Sequence, residues 1–262
     1  MSHQFTLQEN VLIKHPLPQA GIVCSNPQRS QRLLARLKNV QLHTDSWGVT
    51  VHTGHYGSHP LFVAGVPMGA GGSGFAFLEM YAAEARYIVR YGSNDRYVTE
   101  ENLRDIILVD EADNLYGLMR DSGVPADRWG ESLYASEKLI KVLSQRADSL
   151  GYPVRRMVCH HVEDYHAYNY PELSPNPQQV RRTLQTLENR SQKASAWDME
   201  TAALFWRAQQ AAAHGVTVLQ SLIKHRGTAT PYDGRHGETS LAMEQVFQQL
   251  ILDALTDLLS AA

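Results

Sequence analysis

The chain has 262 residues, 43% hydrophobic and 19% charged, which is enough for one large α/β domain with a sizeable core. Its formal net charge of -3, with no lysine or arginine block, leaves no electrostatic footprint for nucleic acid or an acidic membrane surface, so a small-molecule site is expected. No apolar run approaches the ~20 residues of a membrane helix, and the N-terminus lacks the basic head and apolar core of a signal segment, which predicts a cytoplasmic protein.

In chain order, residues 20–25 form a short apolar run that predicts a strand ending near Cys24, and a helical pattern with Leu33, Leu34 and Leu37 follows. Pro27 suits the start of that helix and Arg29 falls in its first turn. Unpaired backbone donors there, with Arg29 beside them, make either an anion site or an ordinary capped surface helix. Between 40 and 66, β-type runs at 47–53 and 60–64 predict a hairpin or meander, broken by Gly54 and a turn at Gly57 and Ser58. Its histidines, His43, His52, His55 and His59, alternate with apolar residues and lack helical pairing, so they are expected on the solvated face and not as metal ligands.

Residues 65–74 are rich in glycine and lead into a helix predicted over 75–84, followed at once by a strand over 86–94 that carries Arg90, Gly92 and Ser93. The spacing of Gly69, Gly71 and Gly74 matches a dinucleotide fingerprint. The acidic residue wanted about 20 positions further on is replaced by the segment from Arg90 to Asn94, which argues against a nicotinamide cofactor. An arginine offers a planar fork of donors, and Gly92 permits close backbone approach, so the strand end suits an oxyanion such as phosphate. The alternative is a buried strand that ends in a turn with a surface arginine.

Further strands are predicted at 105–109, 153–159 and 216–223, with a loop over 113–129. A helix over 136–149 places Leu139, Ile140, Leu143 and Ala147 inward and is closed by Gly151 and Pro153. Cys24 and Cys159, the two cysteines of the chain, end apolar runs and are expected as buried thiols. His160 and His161 alternate faces on a strand and would not share a metal, so a pocket wall is expected, with Tyr165 or His166 stacking on a planar heterocycle. A peripheral flap over 171–193 contains a helix near 179–189. In the next helix Asp198 or Ser195 serves as cap, Glu200 lies in the first turn, Ala202, Ala203, Phe205 and Trp206 face the core, and Gly215 terminates it. On its own, Glu200 there is explained by compensation of the helix dipole. His225 and Arg226 sit in a basic loop after the last strand, where open α/β sheets place ligands, and a core-packing helix over 239–259 ends the pattern.

As an ordered set, these features resemble the nucleoside phosphorylase and uridine phosphorylase family over residues 21–259. Ser25, Asn26, Pro27 and Arg29 resemble the family's glycine-aspartate-proline-x-x-arginine phosphate turn. Met68, Gly69 and Gly71 resemble its methionine-glycine-x-glycine turn. Arg90, Gly92 and Ser93 match arginine-x-glycine-serine, and Met199 and Glu200 match the methionine-glutamate helix start. The resemblance implies a single α/β domain with a mixed, barrel-like central sheet flanked by helices, acting as a homodimer or hexamer. It implies a phosphorylase that needs no cofactor and takes inorganic phosphate and a nucleoside.

In that family's terms Ser25, Asn26, Arg29, Arg90 and Ser93 hold phosphate, Met199 and Glu200 hold ribose, and Tyr165 and Gly92 face the base. Arg226 resembles the arginine of the uridine branch, and with His225 it would stabilise charge on a departing base. The sequence departs from the family at four places. Ser25 and Asn26 replace the glycine-aspartate pair. Trp47 stands where an arginine is donated to the neighbour's phosphate, which places Trp47 close to a neighbouring pocket. The last loop has no aspartate of the purine type, and no glutamine and arginine follow Tyr165 as in the uracil reader. A uridine-type phosphorylase, a catalytically impaired nucleoside sensor or scaffold, and a phosphate-independent nucleosidase all stay open.

Overall fold

Ten strands join in one mixed sheet, seen in a computed structural model that describes residues 5–94, 103–190, 195–222 and 237–261. The strands are β1 (Ala20–Cys24), β2 (Lys38–Ser46), β3 (Val49–Tyr56), β4 (His59–Gly65), β5 (Tyr87–Asn94), β6 (Ile106–Asp113), β7 (Leu133–Tyr134), β8 (Val154–His161), β9 (Ser195–Asp198) and β10 (His214–Ser221). Their order is β2-β3-β4-β1-β5-β10-β6-β8-β9, with β7 paired to β6. β4, β1, β5 and β10 are mutually parallel, while β6 runs antiparallel to β10 and carries β8 and β9 parallel to itself. Central parallel strands are covered on both faces, and β1 is accordingly buried at every position, as its unbroken apolar run predicts.

The helices are α1 (Pro27–Leu34), α2 (Ala70–Ala82), α3 (Tyr116–Asp121), α4 (Glu137–Ser149), α5 (Tyr165–Asn169), α6 (Pro177–Arg190), α7 (Thr201–Gln210) and α8 (Gly237–Ser260). α2 packs on α7, and α4 on α8. The sheet is strongly coiled. Strand β9 is four places from β5, which would separate them by about 19 Å in a flat sheet. Yet Arg90 on β5 donates to Asp198 at the end of β9 at 2.7 Å. The far edge has therefore curled back on the middle of the sheet, giving the barrel-like form that the resemblance implies.

Several expectations change. α2 begins at Ala70, five residues before the predicted start, and its first turns run through Gly71, Gly72 and Gly74. Close packing overrides the low helix propensity of glycine here: a Cβ at Gly72 would lie 3.0 Å from Pro67, and one at Gly74 2.8 Å from Leu118. The tight turn is at Gly69, whose φ is 91°. Trp47 is not in a strand. With Gly48 it forms the two-residue turn between β2 and β3, both at positive φ, and its side chain is 85% exposed. The stretch predicted as a loop over 113–129 contains α3, and Gly215 lies inside β10 instead of ending α7. His43, His52, His55 and His59 are all outside the core, as expected, and Cys24 and Cys159 are buried thiols.

One tether had no sequence signal. Glu79 of α2 is buried and accepts three backbone N–H groups, from Val11 at 2.5 Å, Leu12 at 2.8 Å and Ile13 at 2.9 Å, which fastens the N-terminal segment to the helix. A buried carboxylate needs such donors, because leaving it without partners costs several kcal/mol.

Candidate active site

The carboxyl end of β1, the middle of β5 and the amino end of α7 meet at a group of buried charges. Asn26 caps α1, its Oδ1 accepting the Arg29 N–H at 3.1 Å, and Pro27 fills the first turn without a donor. The cap turns Arg29 inward, where it is 2% exposed. Its guanidinium lies 4.3 Å above the Tyr91 ring, donates to Ser93 Oγ at 2.9 Å and to the Tyr91 carbonyl at 3.3 Å. Glu244 of α8 supplies counter-charge, 3.9 Å from Arg29 Nε, and also accepts from Arg32 at 2.5 and 2.9 Å. Ser25 Oγ is buried and makes no hydrogen bond among the described residues.

Arg90 is 4% exposed and forks between two carboxylates. Nη1 donates to Asp198 Oδ2 at 2.7 Å, and Nη2 donates to Glu200 Oε2. The other oxygen of Glu200 accepts the Gly69 N–H at 3.0 Å, so the glycine turn, Glu200 and Arg90 are directly linked. Burial acts to lower the Arg90 pKa, but Asp198 and then Glu200 outweigh it and hold the guanidinium above its usual value. Burial acts to raise the Asp198 carboxyl, and the adjacent Arg90 charge together with the hydrogen bonds from Thr201 reverses this, leaving it below its usual value. Asp198 also caps α7, its Oδ1 accepting from Thr201 N at 3.0 Å and Glu200 N at 3.2 Å. Glu200 itself stands at the cap position, one residue before the first turn in which it was expected.

Gly92 is explained by its neighbour. A Cβ there would lie 2.5 Å from Arg90 Nη1 and 2.8 Å from Leu219, so the approach that the glycine permits is made by the Arg90 guanidinium. Met199 reaches Gly69, with 3.9 Å between its Cε and the place a Cβ would occupy. Cys24 lies near both Arg29 and Arg90. Burial pushes its thiol up to about 11, against the pull of the two guanidiniums, so it is not a nucleophile at neutral pH.

His160 and His161 are both buried. His160 Nδ1 is 2.7 Å from Asp113 Oδ1, and its ring meets Trp197 edge-on with centroids 5.8 Å apart. Tyr165 opens α5, half-buried, with His166 edge-on to it. His225 and Arg226 lie outside the described residues. Among the described residues no group of histidine, cysteine or acidic side chains is arranged to hold a metal, and no helix is long and apolar enough to cross a membrane.

A model of the phosphorylase superfamily matches residues 19–261. The chain belongs to the phosphorylase superfamily. The resemblance seen in its motifs is thereby shown at family level. Two solved structures of uridine phosphorylase from Vibrio fischeri share the superfamily fold with it. One, in complex with 6-hydroxy-1-naphthoic acid, is 18% identical over 92% of each chain with a TM-score of 0.74. The other is 17% identical over 98% of each chain, also at 0.74. No curated protein matches the chain. Within the superfamily fold, sequence reasoning brought Arg29, Ser93, Arg90, Glu200 and Met199 to one place, together with the Ser25–Asn26 turn. It missed Glu244, and it read Asp198 as a cap without its second role as partner of Arg90. Glu244 had no signal, since it is 215 residues from Arg29 and embedded in an apolar helical pattern.

Proposed function

We propose that the chain is a nucleoside phosphorylase of the uridine type, which transfers ribose or deoxyribose between a base and inorganic phosphate without a cofactor. The observation that supports this most is the contact of Arg90 with Glu200: the residue types for phosphate and for ribose hydroxyls meet at one ion pair. In this reading Arg29, Ser93 and Arg90, with the Ser25 hydroxyl, hold phosphate beneath C1′ of the sugar. Glu200, backed by Gly69 N–H, accepts hydrogen bonds from the ribose hydroxyls, and Met199 packs beneath the ring. A phosphate oxygen bonds to C1′ as the bond from C1′ to the base breaks, and the electron pair leaves with the base. Arg226 or His225 stabilises that charge. Positioning and electrostatics supply most of the rate, because charge develops on the sugar and on the base at fixed places.

A specific observation favours a second reading, a nucleoside sensor or scaffold with impaired catalysis. Arg90 is already matched by Asp198 and Glu200, and Trp47 stands where the family donates a further arginine. A panel of nucleosides with and without phosphate separates the readings. Uracil or thymine released only with phosphate supports the phosphorylase. Release without phosphate makes it a nucleosidase, and binding without turnover makes it a sensor.

The assembly proposed is at least a homodimer, with Trp47 close to the neighbour's pocket. Trp47 shares an apolar cavity of about 410 Å³ with Val11, Val49, Pro67 and Phe75, and exposed aromatic and apolar side chains are enriched at interfaces. Light scattering should give a mass of two chains or more, and Trp47→Arg should raise phosphate affinity. A monomeric mass contradicts this assembly.

A further inference from the structure

Away from the charged cluster, at the amino end of β5, the carboxyl ends of α2 and α7 border a second cavity. It has a volume of about 210 Å³ and is lined by Phe5, Leu78, Tyr81, Arg86, Arg207 and Gln210 among others. Arg207 is held in place: Nε donates to the Gly74 carbonyl at 3.2 Å, Nη1 donates to Gln210 Oε1 at 2.7 Å, and the guanidinium lies 4.4 Å over the Trp206 ring. Neither arginine has an acidic partner among the described residues, and the Arg86 side chain makes no hydrogen bond there. Burial without a counter-charge draws the Arg207 pKa down to about 10. It nevertheless stays charged at neutral pH.

The charge balance selects the ligand. Two helix carboxyl ends contribute about half a negative charge each, against two guanidiniums, which leaves about one positive charge to be matched. Tyr81 adds none, since its hydroxyl donates to the His214 carbonyl at 3.2 Å and burial keeps its pKa well above the usual value. Phe5 and Leu78 give the cavity apolar walls. Its volume is below the ~300–1,000 Å³ of sites for drug-sized ligands. We propose that this cavity binds a small carboxylate monoanion with a short or flat apolar body, its oxygens on the forks of Arg86 and Arg207 and its body against Phe5 and Leu78. A planar carboxylate fits a planar fork, and already-fixed Arg207 loses little further rotamer freedom on binding.

The test is a calorimetric titration of the full chain with benzoate, repeated on Arg86→Ala, Arg207→Met and Arg29→Ala. Saturable binding is expected, weakened at least about tenfold by Arg86→Ala or Arg207→Met, since each removes a charge-assisted hydrogen bond. Arg29→Ala and added inorganic phosphate should leave it unchanged. Absence of saturation at millimolar benzoate, equal affinity in Arg86→Ala, loss in Arg29→Ala that keeps the parent's circular dichroism and unfolding transition, or displacement by phosphate would each overturn the proposal. The Arg86 position is exposed, so that variant keeps the test decisive even where Arg207→Met folds poorly.

Discussion

The two ends of β5 treat arginine in opposite ways. In the candidate active site Arg29 and Arg90 are buried, and Glu244, Asp198 and Glu200 match them; in the second cavity Arg86 and Arg207 have no carboxylate partner among the described residues. The difference separates charges that carboxylates of the fold neutralise from charges left to solvent or to a ligand. A matched buried pair contributes weakly to stability, yet removal of one member leaves an uncompensated charge and is costly. The cluster of the candidate active site is therefore part of the scaffold, whereas exposed Arg86 of the second cavity can be altered with little structural consequence.

The largest effect expected is on stability. Asp198→Ala leaves Arg90 to Glu200 alone and removes the side chain that accepts from Thr201 N and Glu200 N at the cap of α7, and denaturant unfolding should show a loss of about 3–5 kcal/mol. A loss as small as that of a surface substitution would break the contrast between the two ends. Next is Glu200→Gln, which keeps the shape and the Gly69 contact but removes the charge that strengthens in contact with ribose. Turnover of the best nucleoside should fall about a hundredfold, the scale seen when one transition-state hydrogen bond is lost, with less stability lost than in Asp198→Ala because the Asp198 cap of α7 is kept.

The Asp198 carboxyl sharpens the comparison through pH. Its folded pKa lies below the unfolded value of about 3.9, so its contribution is present above that value and is lost as pH falls through it toward the folded one. Thermal unfolding of Asp198→Asn should show a shallower acid limb than the parent below about pH 4 and no change in slope between pH 6 and 8. The smallest effect is expected for Arg86→Ala, with a stability change under about 0.5 kcal/mol, since the side chain is exposed and makes no hydrogen bond among the described residues. A loss as large as that of Asp198→Ala would show that the two ends are built alike.

Much of this was legible in the sequence because it is local. The apolar runs of β1, β5, β8 and β10, the inward Leu139, Ile140, Leu143 and Ala147 of α4, and Pro27 at the start of α1 are written within a few residues of where they act. Arg29, Arg90 and Glu200 were found through short motifs whose order the fold preserves. What was not legible depends on distant packing. The helical state of Gly71 to Gly74 is set by Pro67 and Leu118, contrary to glycine propensity. The turn at Trp47 is set by strand register, at a positive φ that a bulky side chain disfavours. Glu244 and Glu79 look like ordinary polar positions of helices until the groups that they bind are brought from elsewhere in the chain.

The central claim is that Arg90 and Glu200 are where the phosphate and ribose subsites join, and it implies coupling between the two ligands. An oxyanion on Arg90 releases Glu200 to accept the ribose hydroxyls, so each ligand should tighten the other by the same factor. Calorimetric titration of uridine with and without sulfate, an unreactive stand-in for phosphate, measures this directly. The account predicts tighter uridine binding in sulfate, with the coupling lost in Glu200→Gln; an equal affinity in both buffers, or coupling that survives Glu200→Gln, would contradict it.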